Sequence, residues 1–188
     1  MKRKTEYKVD DIFPNRWSAR AMSGEEIDDN ELMTLFEAAR WAPSSLNNQH
    51  WRFIYAKRNT VHWDKFFSLL KEGNKVWAKN ASVLIITLSK KTYDRNNKSV
   101  RTHSFDAGAA WENLALQGIE KGLVVHPIGG FDFEKAAEMF PKEYNVKIMV
   151  AVGKQGNKDD LPEELQEREV PSDRKKLNEM VFEGEFKG

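Results

Sequence analysis

The chain has 188 residues, 30 Lys and Arg against 29 Asp and Glu, a formal charge of +1, and no cysteine. This is enough for one domain with a substantial core, and it excludes disulfides, thiol catalysis and Cys-held metals as well as the broad basic footprint of a nucleic-acid or membrane-surface protein. The charged first ten residues are no secretory signal, and no apolar run approaches the ~18 residues of a membrane helix, so the chain is read as soluble and cytoplasmic, a single domain over 1–188 with an N-terminal arm (1–14) and a C-terminal extension (170–188).

After the extended arm, Leu32, Leu35, Phe36 and Ala39 recur at helical spacing. They predict a helix over 28–41, capped by Asp28 or Asp29 and ended by Pro43. A strand is expected over 51–56 and a helix over 61–70. A loop at 71–75 leads to a helical turn around Trp77. The apolar run 82–88 predicts a strand buried on both faces, as in a sheet covered by helices. Residues 90–101 read as a polar, mobile loop. The longest helix is expected over 104–121, with Gly122 at its C-terminal cap; Gly108, Gly118 and the alanines suit either close helix approach or ordinary core packing. Further expectations are strands at 123–125 and 147–152, a helix at 133–140, a polar stretch without a core pattern at 155–169, and a last helix or extended arm at 172–182. The alternation of helices and strands indicates an α/β or α+β sandwich.

Three short clusters stand out. In Arg16-Trp17-Ser18-Ala19-Arg20, the two guanidiniums and the hydroxyl share one face if the backbone is extended, which suits a phosphate; alone, the pentapeptide reads as a solvated basic loop. Residues 42–51 hold Pro43, Ser44, Ser45, Asn47, Asn48 and Gln49 between apolar flanks, many donors and acceptors for a planar polar ligand; alone, this reads slightly better as a helix-ending turn. Pro127-Ile128-Gly129-Gly130 follows a strand, where glycine lets backbone N–H groups approach a flat ligand, although a plain tight turn is the commoner use. None of the four histidines has metal spacing, so no metal site is expected, and no Ser-His-Asp set is legible. No G-x-G-x-x-G fingerprint follows a strand.

Taken in order, the clusters resemble the nitroreductase-type FMN flavoproteins over residues 12–182. The matching patterns are Arg16-x-Ser18-x-Arg20, the 42–51 segment after a helix, the turn at 127–132 after the long helix, and Arg174 before an apolar segment. His50 stands where the family usually has Pro, Gly129 where an acidic residue is frequent, and the segment 89–102 is short for a substrate cover.

The resemblance implies an α+β fold with a central mixed, mostly antiparallel sheet flanked by helices, and an FMN-dependent oxidoreductase that passes a hydride from NAD(P)H through the flavin to an electron-poor acceptor such as a nitroaromatic or quinone. A reductive dehalogenase, or a flavin-binding storage or regulatory protein with little turnover, is the alternative. It also implies a homodimer with FMN at the subunit interface. By position, Arg16, Ser18, Arg174 and, secondarily, Lys154 serve the phosphate and ribityl chain, with Trp17 in the same strip. Arg20 and Asn74 serve the flavin pyrimidine edge. Pro43, Ser44, Ser45, Asn47 and Gln49 form the loop supplied by the second subunit. The N–H of Gly129 faces flavin N5, with Pro127, Ile128 and Gly130 around the ring. No side chain is assigned as an acid or base.

Overall fold

The computed structural model describes residues 3–186; positions 1, 2, 187 and 188, the tips of the expected arm and extension, lie outside it. Its helices are α1 (Ile12–Asn15), α2 (Asp29–Arg40), α3 (Trp63–Leu69), α4 (Glu72–Ala78), α5 (His103–Glu120), α6 (Phe133–Ala137) and α7 (Glu163–Gln166). Its strands are β1 (Trp51–Lys57), β2 (Val83–Lys90), β3 (Leu123–Ile128) and β4 (Tyr144–Lys154). Local chemistry sets the ends. The Asp28 side chain accepts from the Glu31 N–H and caps α2. Gly122, at φ +70°, takes the left-handed position past α5.

The strands form one sheet in the order β1-β2-β4-β3. Every pair is antiparallel among the described residues, so the antiparallel character expected of an α+β sheet is present without a parallel pair. Alternation along β2 divides the core. Val83 and Ile85 pack with Leu32, Leu35, Ala110 and Leu114 under α2 and α5. Leu84, Ile86 and Leu88 pack with Phe66, Leu69, Trp77 and Phe131 on the other face. The result is three layers, helix–sheet–helix. A Cβ on Gly118 would lie 2.3 Å from Val125 Cγ2, so this glycine sets how closely α5 approaches β3; Gly108 faces open space.

Several boundaries correct the sequence expectations. β4 starts at Tyr144 rather than at 147, because Thr87 pairs with Ile148 but Leu88 with Val146. Lys147 is thus the extra residue of a bulge that interrupts the apolar pattern. β3 continues through Pro127, which a sheet edge tolerates because no N–H is needed there. The expected loop at 71–75 mostly belongs to α4. The expected mobile loop at 90–101 is pinned: Thr92 bridges Ser99, and Val100 N donates to Lys91 O. The polar stretch 155–169 has core contacts after all, since Leu161 and Leu165 are buried. The arm ends in α1, and residues 172–182 are extended apart from one 3₁₀ turn at Leu177–Glu179. Among the described residues no helix is long and apolar enough to cross a membrane.

Candidate functional site

Residues 16–21 run extended, with Ala19 and Ala21 buried and Arg16, Ser18 and Arg20 only partly covered, the alternation that puts their polar side chains on one face. Trp17 packs against the core. Partners distant in sequence hold the strip. His126 Nδ1 donates to Ala19 O at 2.8 Å. Glu169 Oε1 accepts from the N–H groups of Arg20 and Ala21 at 2.7 and 2.8 Å. Gly156 N and Gln155 Nε2 both donate to Ala21 O at 2.9 Å. Position 156 must be glycine for this, because a Cβ would lie 2.5 Å from the Met22 carbonyl carbon.

The cations converge. Arg16 donates to Ser18 Oγ at 3.4 Å, lies 3.9 Å from Glu112 Oε1, and sits over the Trp111 ring. Arg3, from the arm, donates to Arg16 O and, at 3.5 Å, to Ser172 O. Arg174 donates to the same Ser172 O at 3.2 Å. Burial, then the like charges of Arg174 and Arg16, hold the Arg3 guanidinium below its ordinary pKa, with Asp173 opposing. Three guanidiniums gathered from three segments suit an anion with several oxygens. A cleft of about 720 Å³ beside them is lined by Tyr7, Phe13, Arg3, Arg174 and Leu177. Lys154 does not join this set: Glu25 Oε2 holds it at 2.9 Å, and Asp28 and Glu31 are its next acidic neighbours.

The glycine turn is fixed from α4. Asn74 Nδ2 and Lys71 N both donate to Gly130 O, at 2.9 and 3.0 Å, and Trp77 Nε1 donates to Asn74 Oδ1 at 3.3 Å. A Cβ at Gly130 would meet Asn74 Nδ2 at 2.3 Å, whereas Gly129 is exposed with open space around it. Ile128 is buried in the core, whereas Pro127 is only partly covered. His126 joins turn to strip, its ring 4.5 Å from Trp77 while its Nδ1 holds Ala19. Burial pushes the His126 pKa down to about 4, against the raising effect of its bond to Ala19 O and with Arg20 and Arg16 lowering it further. At neutral pH it is an uncharged donor through Nδ1.

The 43–50 loop lies elsewhere. Leu46, Asn47 and Gln49 have φ of +52°, +54° and +51°, unusual for side-chain-bearing residues and held by a dense network. Gln49 N donates to Ser44 Oγ at 3.0 Å, and Gln49 Nε2 to Asn47 O at 3.0 Å. Ser45 N donates to Asp106 Oδ2 at 3.0 Å, and Ser45 Oγ pairs with Tyr93 OH at 2.9 Å. Asn48 Nδ2 bonds His50 Nδ1 at 3.2 Å, and His50 Nε2 lies 3.6 Å from Asp106 Oδ2. Pro43, Asn47 and Gln49 are exposed. Among the described residues no hydrogen bond joins this loop to the strip or the turn.

Sequence reasoning missed Arg3, Asp106 and Glu169. Asp106 had a signal: it shares the buried face of α5 with Ala107, Ala110 and Leu114. Arg3 and Glu169 had none, because only tertiary contacts recruit them. Among the described residues no His, Cys, Asp and Glu group is arranged to hold a metal.

The fold and site thus define a class: a three-layer α+β sandwich with an arginine cluster beside an extended strip that is tied to a glycine turn. Residues 14–154 match the Nitroreductase family, and the chain belongs to that family. A crystal structure described as an oxidoreductase containing FMN is 44% identical, with a TM-score of 0.95 covering 99% of this chain and 96% of that one. An uncharacterized 15.4 kDa protein from the ask 5′ region of Mycolicibacterium smegmatis is 33% identical over 120 residues, 63% of this chain and 80% of its own length. A Ralstonia nicotianae protein, provisionally named an NADH dehydrogenase/NAD(P)H nitroreductase, is 24% identical over 165 residues, 77% of this chain and 84% of its own.

Proposed function

We propose that the chain is an FMN-dependent oxidoreductase that moves a hydride from NAD(P)H to an electron-poor acceptor, a nitroaromatic or a quinone. The observation that carries this reading is the gathering of Arg3, Arg16 and Arg174, tied through Arg16 O and Ser172 O, a cluster of like charge that a phosphate dianion would offset. The donor set fits the rest of the cofactor. Asn74 spends one Nδ2 hydrogen on Gly130 O and keeps the second for a ring carbonyl. Gly129 is exposed, with nothing within 4 Å of where a Cβ would sit, so its backbone is approachable by a flat ring. Arg20 contributes positive charge toward the pyrimidine edge. The similar FMN-containing oxidoreductase and the relative named for NADH and NAD(P)H activity support the cofactor and the donor.

When bound, FMN supplies the hydride chemistry at its N5. The chain's own residues bind and orient. Arg3, Arg16, Ser18 and Arg174 anchor the phosphate end. Asn74, held by Gly130 and Trp77, would offer its remaining N–H to the ring edge. Neutral His126 keeps Ala19, and so the strip, against the turn. No side chain is required as an acid or base.

We also infer a homodimer. Among the described residues no hydrogen bond joins the 43–50 loop to the strip or turn, yet Leu46 is 63% exposed, and so are its sequence neighbour Trp41, at 73%, and Phe105, at 80%, next to the Asp106 that holds Ser45. Apolar surface of this kind marks an interaction face, and a second copy docked there brings Pro43, Ser44, Asn47 and Gln49 to the cofactor. The lack of cysteine fits a reducing compartment such as the cytoplasm.

The test is the absorbance spectrum of the purified protein, followed by steady-state NADH and NADPH oxidation with a nitroaromatic or a quinone. A flavin band with turnover is expected. A colourless protein that takes up no added FMN refutes the reading. A yellow protein that turns over no acceptor favours a storage or regulatory role.

A further inference from the structure

Glu169 is a nearly buried carboxylate in a segment the cofactor reading does not use, its side chain 3% exposed against 22% for Arg20. Its two oxygens do different things. Oε1 holds the backbone of the strip through Arg20 N and Ala21 N. Oε2 receives no hydrogen bond and lies 3.8 Å from Arg20 Nη1. Among the described residues Arg20 has no other ion-pair partner. The contact is therefore coulombic without a hydrogen bond: the carboxylate offsets part of the guanidinium charge while leaving its N–H groups free for another acceptor. A buried charge left half-satisfied in this way acts over short range because little water screens it.

We propose that Glu169 is a positioning residue that sets how much positive charge Arg20 presents to the cofactor, and so sets the flavin reduction potential. The proposal rests on the flavin reading above. Reduction adds negative charge to the pyrimidine end of the ring, so a cation there favours the reduced state and a neighbouring carboxylate lessens that preference.

The experiment is potentiometric titration of the FMN-loaded protein, with FMN affinity measured alongside. Glu169→Gln keeps an oxygen for both backbone N–H groups and removes only the charge. It is expected to raise the midpoint potential by about 30 mV, a tenfold gain in affinity for reduced over oxidised flavin in a two-electron couple. Glu169→Asp, which withdraws the carboxylate by one carbon, is expected to give a smaller rise and serves the same test if the glutamine variant does not fold. Arg20→Gln is expected to lower the potential. A purely structural Glu169 would weaken oxidised and reduced FMN equally; an unchanged potential in the glutamate variants therefore overturns the proposal, as does an unchanged potential in Arg20→Gln. If the wild-type protein binds no FMN, the flavin reading itself has failed, which is a different result.

Discussion

Replacing Arg16 by alanine separates binding from architecture. In the free protein the Arg16 side chain is 15% exposed, lies at 3.9 Å from a half-exposed Glu112, and donates one long bond to Ser18 Oγ. It also helps depress the Arg3 pKa by like-charge repulsion. Losing the ion pair removes about 0–1 kcal/mol at such exposure, and the contact with Trp111 contributes about 0.5–1 kcal/mol; relief of the repulsion opposes both. The free protein should therefore unfold at nearly the same denaturant concentration. The phosphate contact is different: a hydrogen bond to a charged group contributes about 1.5–3 kcal/mol, so FMN should bind roughly 10- to 150-fold more weakly. Fluorescence titration of FMN into apoprotein measures this, with urea unfolding as the control. An FMN affinity equal to wild type would refute the phosphate assignment. A large loss of apoprotein stability would show that Arg16 is an architectural residue instead.

Gly118→Ala tests the close approach of α5 to β3: the new Cβ meets a buried valine, Val125, at 2.3 Å. Overpacking of this kind should lower stability by about 1–3 kcal/mol, several degrees in thermal melting. His126 predicts a pH dependence. Between the ordinary value of 6.5 and its folded value of about 4, the unfolded chain binds a proton that the folded chain does not. Its contribution is thus complete above 6.5 and is lost as pH falls toward 4, on the order of a few kcal/mol in all. Urea unfolding at pH 7 and pH 5 should show a smaller drop for His126→Gln than for wild type; equal drops would place the His126 proton elsewhere. If the 43–50 loop serves the flavin across a dimer, dilution below the dimer dissociation constant should release FMN, seen as recovered flavin fluorescence alongside the monomer in sedimentation. FMN retained by monomers would refute the shared site.

What could be read from the sequence follows the range of the interactions involved. The α2 periodicity of Leu32, Leu35 and Ala39 and the doubly buried run of β2 depend on local pattern, and both elements stand where that pattern put them within a residue or two. The three polar clusters were recognisable because each is contiguous. Boundaries failed where geometry departs from periodicity: the bulge at Lys147 concealed three residues of β4, and Pro127 seemed to end a strand that an edge position let continue. Glu169 was invisible for a different reason. Nothing in a polar run announces that Glu169 will be buried and bonded to Arg20, 149 positions earlier. Lys154 shows the reverse: a plausible cation by position, it is drawn aside by Glu25.

The central place of β4 also dictates an order of events during synthesis. β2 and β3 both pair with β4, and neither pairs with the other. A nascent chain that has left the ribosome only as far as α6 holds β1 and β2 as a hairpin-like pair, while β3 waits without a neighbour. Closing the sheet requires residues 144–154, and clamping the strip at 19–21 then requires Gln155, Gly156 and Glu169. The clamped strip is accordingly among the last parts of the chain to assemble, although its arginines are among the first residues made. A ribosome stalled before 144 would carry exposed β2 apolar surface, with the vulnerability to aggregation that unpaired strands bring.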